Sequence, residues 1–122
     1  MANHMQNLDS VFHALADPTR RAIVLQLSRN PATVSALHEP ERMALPTLLQ
    51  HIRVLELSGL IITKKAGRVR TCELRPVALR MTEAWLARQR ALWQARLDRL
   101  DDYALKLHAE EKQNVKRKSK GR

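Results

Sequence analysis

The sequence predicts a mainly α-helical domain carrying one small β-hairpin, with its elements in the order α-α-α-α-β-β-α. Three observations predict it. Apolar residues recur at helical steps of three and four through most of the chain. One stretch, residues 60–74, changes instead to two short β-prone runs around a glycine. Proline marks the first turn of several segments, where its missing N–H costs nothing.

The first helical pattern runs from about Leu8 to Ala16, with Leu8, Val11, Phe12 and Leu15 on one stripe. Asp17-Pro18 opens the second helix. Asp17 can accept from the free N–H groups of the first turn, and Pro18 suits the first helical position. This helix extends to about Ser28 and buries Ile23, Val24 and Leu27, and Asn30-Pro31 ends it. A short third helix begins at or near Thr33, turns Val34 and Leu37 inward, and stops near Pro40. After the polar turn 39–42 comes a fourth helix, from about Leu45 to Leu57, with Pro46 in its first turn and Gly59 as its C-terminal cap.

Two strands follow, Leu60–Lys64 and Val69–Leu74. Lys65-Ala66-Gly67-Arg68 turns between them, with Gly67 free to take a positive φ. Pro76 then opens a long helix to about Glu110, along which Leu79, Leu86, Trp93, Leu97, Leu100, Ala104 and Leu107 repeat at steps of three, four or seven. The expected division is a flexible N-terminus (1–7), a folded domain (8–110) and a basic disordered tail (111–122). A hairpin directly after the second helix of a helix-turn-helix is a wing. The order is that of a winged helix-turn-helix.

At 122 residues, with 44% hydrophobic and 28% charged residues, the chain suits one small soluble domain. No apolar stretch approaches the roughly 18 residues of a membrane span, and the N-terminus lacks the basic and apolar regions of a secretion signal. A cytoplasmic protein with no membrane partner is expected. Its single cysteine, Cys72, excludes an internal disulfide and a zinc site built from several thiolates.

Charge is the informative property. Twenty-two Lys and Arg against 12 Asp and Glu give +10, and without the six cations of residues 112–122 the remainder still carries +4. Such a surplus favours polyanions. With only Phe12, Trp85, Trp93 and Tyr103 as aromatics, the stacking platforms of single-strand binders are scarce, so duplex DNA is the expected partner. An enzyme is not expected: no serine or cysteine has a recognisable base, and no glycine-rich loop cradles a phosphate.

On a helical wheel Leu48, Ile52 and Leu55 of the fourth helix fall together and face the core. Pro46, Thr47, Gln50, Arg53 and Val54 project the opposite way, with Leu49 and His51 at the flanks. In a helix-turn-helix this outer face enters the major groove. The Gln50 amide can bond adenine N6 and N7 together, and Thr47 offers a hydroxyl and a methyl. Arg53 and His51 are placed for phosphate. The wing carries Lys64, Lys65, Arg68 and Arg70 within seven residues and no acid, suited to the backbone and the adjacent minor groove.

These residues resemble the ArsR/SmtB family of bacterial winged-helix regulators. The matching stretches are FHALADPTRRAIVLQL at 12–27, LPTLLQHIRVLELSGLI at 45–61 and GRVRTCEL at 67–74, and the likeness covers about residues 8 to 107. The resemblance implies a homodimeric repressor, formed by the first and last helices, on an inverted-repeat operator. Leu8, Val11, Phe12, Leu15, Leu86, Trp93, Leu97, Leu100, Ala104 and Leu107 are then the expected dimer interface. A leucine-tryptophan stripe longer than a small domain can cover also asks for a partner. Three positions depart from the family pattern: Ala44, where a capping Ser or Thr is common, Leu49, where a small polar residue often meets DNA, and Glu41, often apolar.

No metal or other cofactor is expected. Family metal sensors carry Cys-x-Cys on the third helix, and here that helix reads TVSALHEP. A second family site pairs Asp-x-His with His-x-x-Glu. His108-x-x-Glu111 matches one half, but Leu97 stands where the other histidine would be, leaving an ion short of ligands. Whether a small-molecule effector exists is left open. Two other functions fit the composition: a DNA-organising protein without sequence preference, and an interaction protein working through its long helix.

Overall fold

The computed structural model describes residues 2–40 and 42–120, with side chains from Asn7 to Ser119 apart from Glu41. The elements are α1 (Ala2–Leu15), α2 (Pro18–Arg29), β1 (Ala32–Thr33), α3 (Val34–His38), α4 (Leu45–Leu57), β2 (Ile61–Ala66), β3 (Val69–Leu74) and α5 (Pro76–Lys120). They fall into two compact units, Met1–Ala84 and Trp85–Arg122, with α5 running through both ranges.

The first unit is built round α4. Leu48, Ile52 and Leu55 are fully buried. They pack with Val11 and Ala14 of α1, Ile23 and Leu27 of α2, Leu37 of α3, and Leu60, Ile61 and Cys72 of the sheet region. Burying a side chain of this size contributes about 1.5–3 kcal/mol, so α4 has one favoured rotation about its axis. Its C-terminus closes as a Schellman motif. Gly59, at φ +81, donates to Glu56 O at 3.0 Å, and Leu60 donates to Leu55 O at 3.2 Å. Two orphan carbonyls are thereby satisfied, and the chain turns directly into β2.

The wing is a three-stranded antiparallel sheet in the order β1-β3-β2 rather than a bare hairpin. Ala32 and Thr33 pair with Cys72 and Thr71, and two residues are too few to show a period of two in sequence. β2 extends two residues past the expected Lys64, pairing Lys65 with Arg70 and Ala66 with Val69. The turn is therefore only Gly67-Arg68. Gly67 takes φ +62 while Arg68 keeps a negative φ, the arrangement of a type II′ hairpin.

Charge and capping hold the corner between α1 and α2. The Asp17 carboxylate accepts from Arg20 N at 3.0 Å, capping α2 as expected. Arg20 reaches back over the end of α1, donating from Nε to Ala14 O at 2.8 Å and from an Nη to His13 O at 3.1 Å. Arg21 donates to Leu15 O at 2.9 Å. The DPTRR segment thus satisfies three carbonyls at the end of one helix while capping the next. Arg20 also touches His51 Nδ1 of α4 at 3.2 Å, which joins three helices at one guanidinium. The backbone N–H of Arg20, with His51 and the Arg20 guanidinium close by, holds the Asp17 carboxyl below its ordinary value, against the opposing effect of burial.

One expectation is corrected here, and two further segments carry helix. Val11, expected at a dimer interface, is 1% exposed and belongs to the core. It shares an inner row with Ala14 one turn on, a residue too small to mark that face in sequence. The N-terminus expected to be flexible is helical from Ala2 on, with Met1 outside the described residues. The tail expected to be disordered continues α5 to Lys120, with Gly121 and Arg122 outside the described residues. No proline or glycine interrupts residues 77–120, so nothing local ends the helix.

Ile52→Ala should lower the unfolding free energy by about 2–5 kcal/mol, read from urea unfolding by circular dichroism. Asp17→Ala should cost about 1 kcal/mol near neutral pH. Because the folded Asp17 pKa is depressed, its contribution is complete above the ordinary carboxylate value of about 3.9 and is lost as pH falls through the folded value. The gap between wild type and Asp17→Ala should therefore narrow in acid. An equal gap at pH 7 and pH 3 would refute this account.

Candidate nucleic-acid interface

With Leu48, Ile52 and Leu55 inward, α4 turns Pro46, Thr47, Gln50 and Arg53 to solvent, and all four are exposed. Leu49 is half-buried beside them. Pro46, Leu49, Gln50, Arg53, Glu56 and Leu57 of α4 line an open concavity of about 460 Å³, whose far side is Arg70 of β3. Val54, expected on the outer face, is partly buried against the core. The α3–α4 turn that sets this presentation is tied by His38 Nε2, which donates to Met43 O at 2.8 Å. The carbonyl can only accept, so His38 carries its proton on Nε2. Glu41, in that turn, lies outside the described residues. Ala44 begins α4 without a side-chain cap, and its backbone carbonyl accepts from Thr47 and Leu48.

Two expected contact residues are engaged elsewhere. The His51 side chain is 19% exposed, against Arg20 and 3.8 Å from the Asp17 carboxylate. Its spacing of three from Leu48 and four from Leu55 puts it at the edge of the buried row. The partners themselves come from α2, and only the packing brings them there.

Arg70 shares a strand face with buried Cys72, since residues two apart point the same way. That face looks toward α4, where Arg70 donates to Glu56 Oε1 at 2.7 Å and to Thr63 Oγ1 at 3.3 Å. Thr63 completes the cluster with a 3.1 Å bond to the other Glu56 oxygen. The strut joins the wing to the last turn of α4. The count of four wing cations without an acid missed it, because the acid lies seven residues before β2's Thr63.

At the tip the charge is less complicated. Lys64 pairs with Glu73 across the hairpin at 3.2 Å, and its side chain remains 64% exposed. Lys65 and Arg68 are exposed, and among the described residues no carboxylate pairs with either. Cys72 is buried, and desolvation raises its thiol pKa, with Arg70 opposing. A thiol so placed is an unreactive packing group. Among the described residues, no group of three or more His, Cys, Asp or Glu is arranged to hold a metal ion.

Of the expected dimer-interface residues, Leu8 and Leu15 are partly buried in the first unit and Phe12 is 39% exposed. The described residues of the second unit are helix alone, and there Leu86, Trp93, Leu97, Leu100, Ala104 and Leu107 are all exposed. Arg96 lies over the Trp93 ring at 5.6 Å, and Gln94 donates to Asp98 at 3.0 Å. These are contacts within one helix, and they cover little of the stripe.

The comparisons agree with this geometry. A helix-turn-helix domain family matches residues 15–63, from the end of α1 into β2. Among curated proteins, the HTH-type transcriptional regulator Rv2034 of Mycobacterium tuberculosis is 38% identical over 71 residues, 58% of this chain and 66% of that protein. The HTH-type transcriptional repressor SmtB of the same species is 34% identical over 58 residues, 48% of this chain and 43% of its own length. The chain thus spans less than two thirds of each of these relatives. Among solved structures, an ArsR-like transcriptional regulator from Rhodococcus sp. RHA1 is 30% identical, with a TM-score of 0.71 over 82% of this chain and 94% of its own. A crystal structure of an ArsR family transcriptional regulator is 54% identical, with a TM-score of 0.71 over 73% of this chain and 92% of its own. By fold, by the α4 and wing sequence and by this identity, the chain belongs to the ArsR family of winged helix-turn-helix transcriptional regulators.

Proposed function

We propose that the chain is a homodimeric repressor that binds an inverted-repeat operator in duplex DNA. The observation that carries the reading is the outward row Pro46, Thr47, Gln50 and Arg53 beside a basic, two-residue hairpin turn. Thr47 and Gln50 stand in the first half of α4, the part of a recognition helix that reaches base edges. Arg53, one turn on, and Lys65 and Arg68 at the wing tip supply phosphate contacts. Lys64 can join them by exchanging Glu73 for a phosphate, since an exposed ion pair contributes at most about 1 kcal/mol. His51 and Arg70 act indirectly, holding α4 and the wing in place.

The second unit supports a second subunit. A helix exposing Leu86, Trp93, Leu97, Leu100 and Leu107 on one chain is suited to burial against a copy of itself. Two-fold symmetry would then set the two α4 helices about 34 Å apart, one turn of DNA. The repressor sign rests on the likeness to SmtB, itself named a repressor. Among the described residues no helix is long and apolar enough to cross a membrane, which agrees with a cytoplasmic site of action.

Footprinting on genomic fragments enriched by the purified protein, followed by transcription in vitro, tests the whole reading. A symmetric protected site and reduced transcript are expected, and equal affinity for operator and random DNA at one salt concentration defeats it. Gln50→Ala should weaken operator binding by about 1–3 kcal/mol and leave random-DNA binding unchanged. Lys65→Ala and Arg68→Ala should weaken both alike, each lowering the salt slope by about 1. Trp93→Glu with Leu100→Glu should shift the sedimentation mass from dimer to monomer; an unaltered mass would place the dimer contact elsewhere.

A further inference from the structure

The first two turns of α4 present an unusual surface for a helix that reads DNA. Residues 45–52 contain no Lys and no Arg, the residues that most often grip guanine O6 and N7. His51 is drawn away to Arg20. Exposed there are Leu45 (44%), which starts the buried row at the helix end, then Pro46, Thr47 and Gln50, with Leu49 edging the concavity beside them. Leu45 and Leu49 are one turn apart and so lie side by side, with Pro46 next to them. The result is a continuous apolar ledge bordered by one amide and one hydroxyl.

Resting on the DNA-reading role proposed above, we infer that this ledge recognises thymine through its C5 methyl, while Gln50 takes the paired or neighbouring adenine. The chemistry is selective. Among the four bases only thymine shows an apolar group at the major-groove edge, and a carboxamide fits adenine N6 and N7. A guanine or cytosine there would set polar groups against leucine with no partner, which costs binding free energy. Arg53 lies beyond the ledge, on the phosphate side of the reading surface. Each half-site therefore centres on A·T pairs whose thymines are held by apolar contact.

The test uses the full chain and synthetic duplexes carrying its enriched site. Replacing half-site thymines singly by deoxyuridine removes one methyl and nothing else. At the contacted position affinity should fall about fourfold, the equivalent of one buried methyl group. Placing 5-methylcytosine in a weakened C·G variant of that position should recover part of the loss. In Leu49→Ala the thymine-to-uracil difference should shrink toward none. Half-sites fixed by G·C pairs, or uracil duplexes bound as tightly as thymine duplexes, overturn the inference while leaving a sequence-specific regulator in place. Loss of all preference between operator and random DNA overturns the regulator reading as well, so the two failures are distinct.

Discussion

The burial of Leu48, Ile52 and Leu55 is the constraint from which the rest of the first unit follows. Three side chains on one side of a thirteen-residue helix leave little rotational freedom, because any turn about the axis would expose apolar surface and strand polar groups. Once that face is inward, Thr47, Gln50 and Arg53 have no choice but solvent. The composition of the outer face is free to vary because the inner face does the holding. In the proposed complex, recognition chemistry and folding would be carried by different residues of the same helix.

Rotation alone does not place α4, and two charged clusters set its remaining freedom. Near the middle of α4, His51 meets Arg20, whose guanidinium is already committed to the end of α1. At the C-terminal turn, Glu56 meets Arg70 and Thr63 of the wing. Both clusters are only partly buried, so neither adds much to stability by itself. Their value is geometric, since each joins α4 to another element through donors with fixed directions. In the proposed complex, wing and helix would approach the DNA as one piece. The flexible part would be confined to the tips of Lys64, Lys65 and Arg68.

The second unit poses the opposite situation. In proteins most helical stability comes from packing an amphipathic face. This unit's stripe of leucine and tryptophan stays exposed on a single chain, beside a basic run from Lys112 onward. The first unit has a core of its own, whereas the second has a face only. The proposed dimer would supply what this unit lacks.

The sequence by itself determined the order of the five helices and of the two long strands, and several of their boundaries. α4 runs from Leu45 to Leu57 as its periodicity, Pro46 and Gly59 require, and the caps at Asp17, Thr33 and Gly59 lie where short-range chemistry puts them. These are local signals, carried by residues within a turn or two of each other. The outward row of α4, apart from Val54, was legible for the same reason. What only tertiary structure decided were the long-range pairings: Arg20 with His51, Arg70 with Glu56, and β1 with β3. No spacing rule links residues 31 apart, or 14 apart across a helix and a strand. Strand alternation puts Arg70 on the same face as Cys72, but only the fold shows that this face is buried and that a carboxylate waits there. Val11 went to the core because Ala14 beside it closes against the other helices. The tail is helical because nothing in its residues stops a helix already begun.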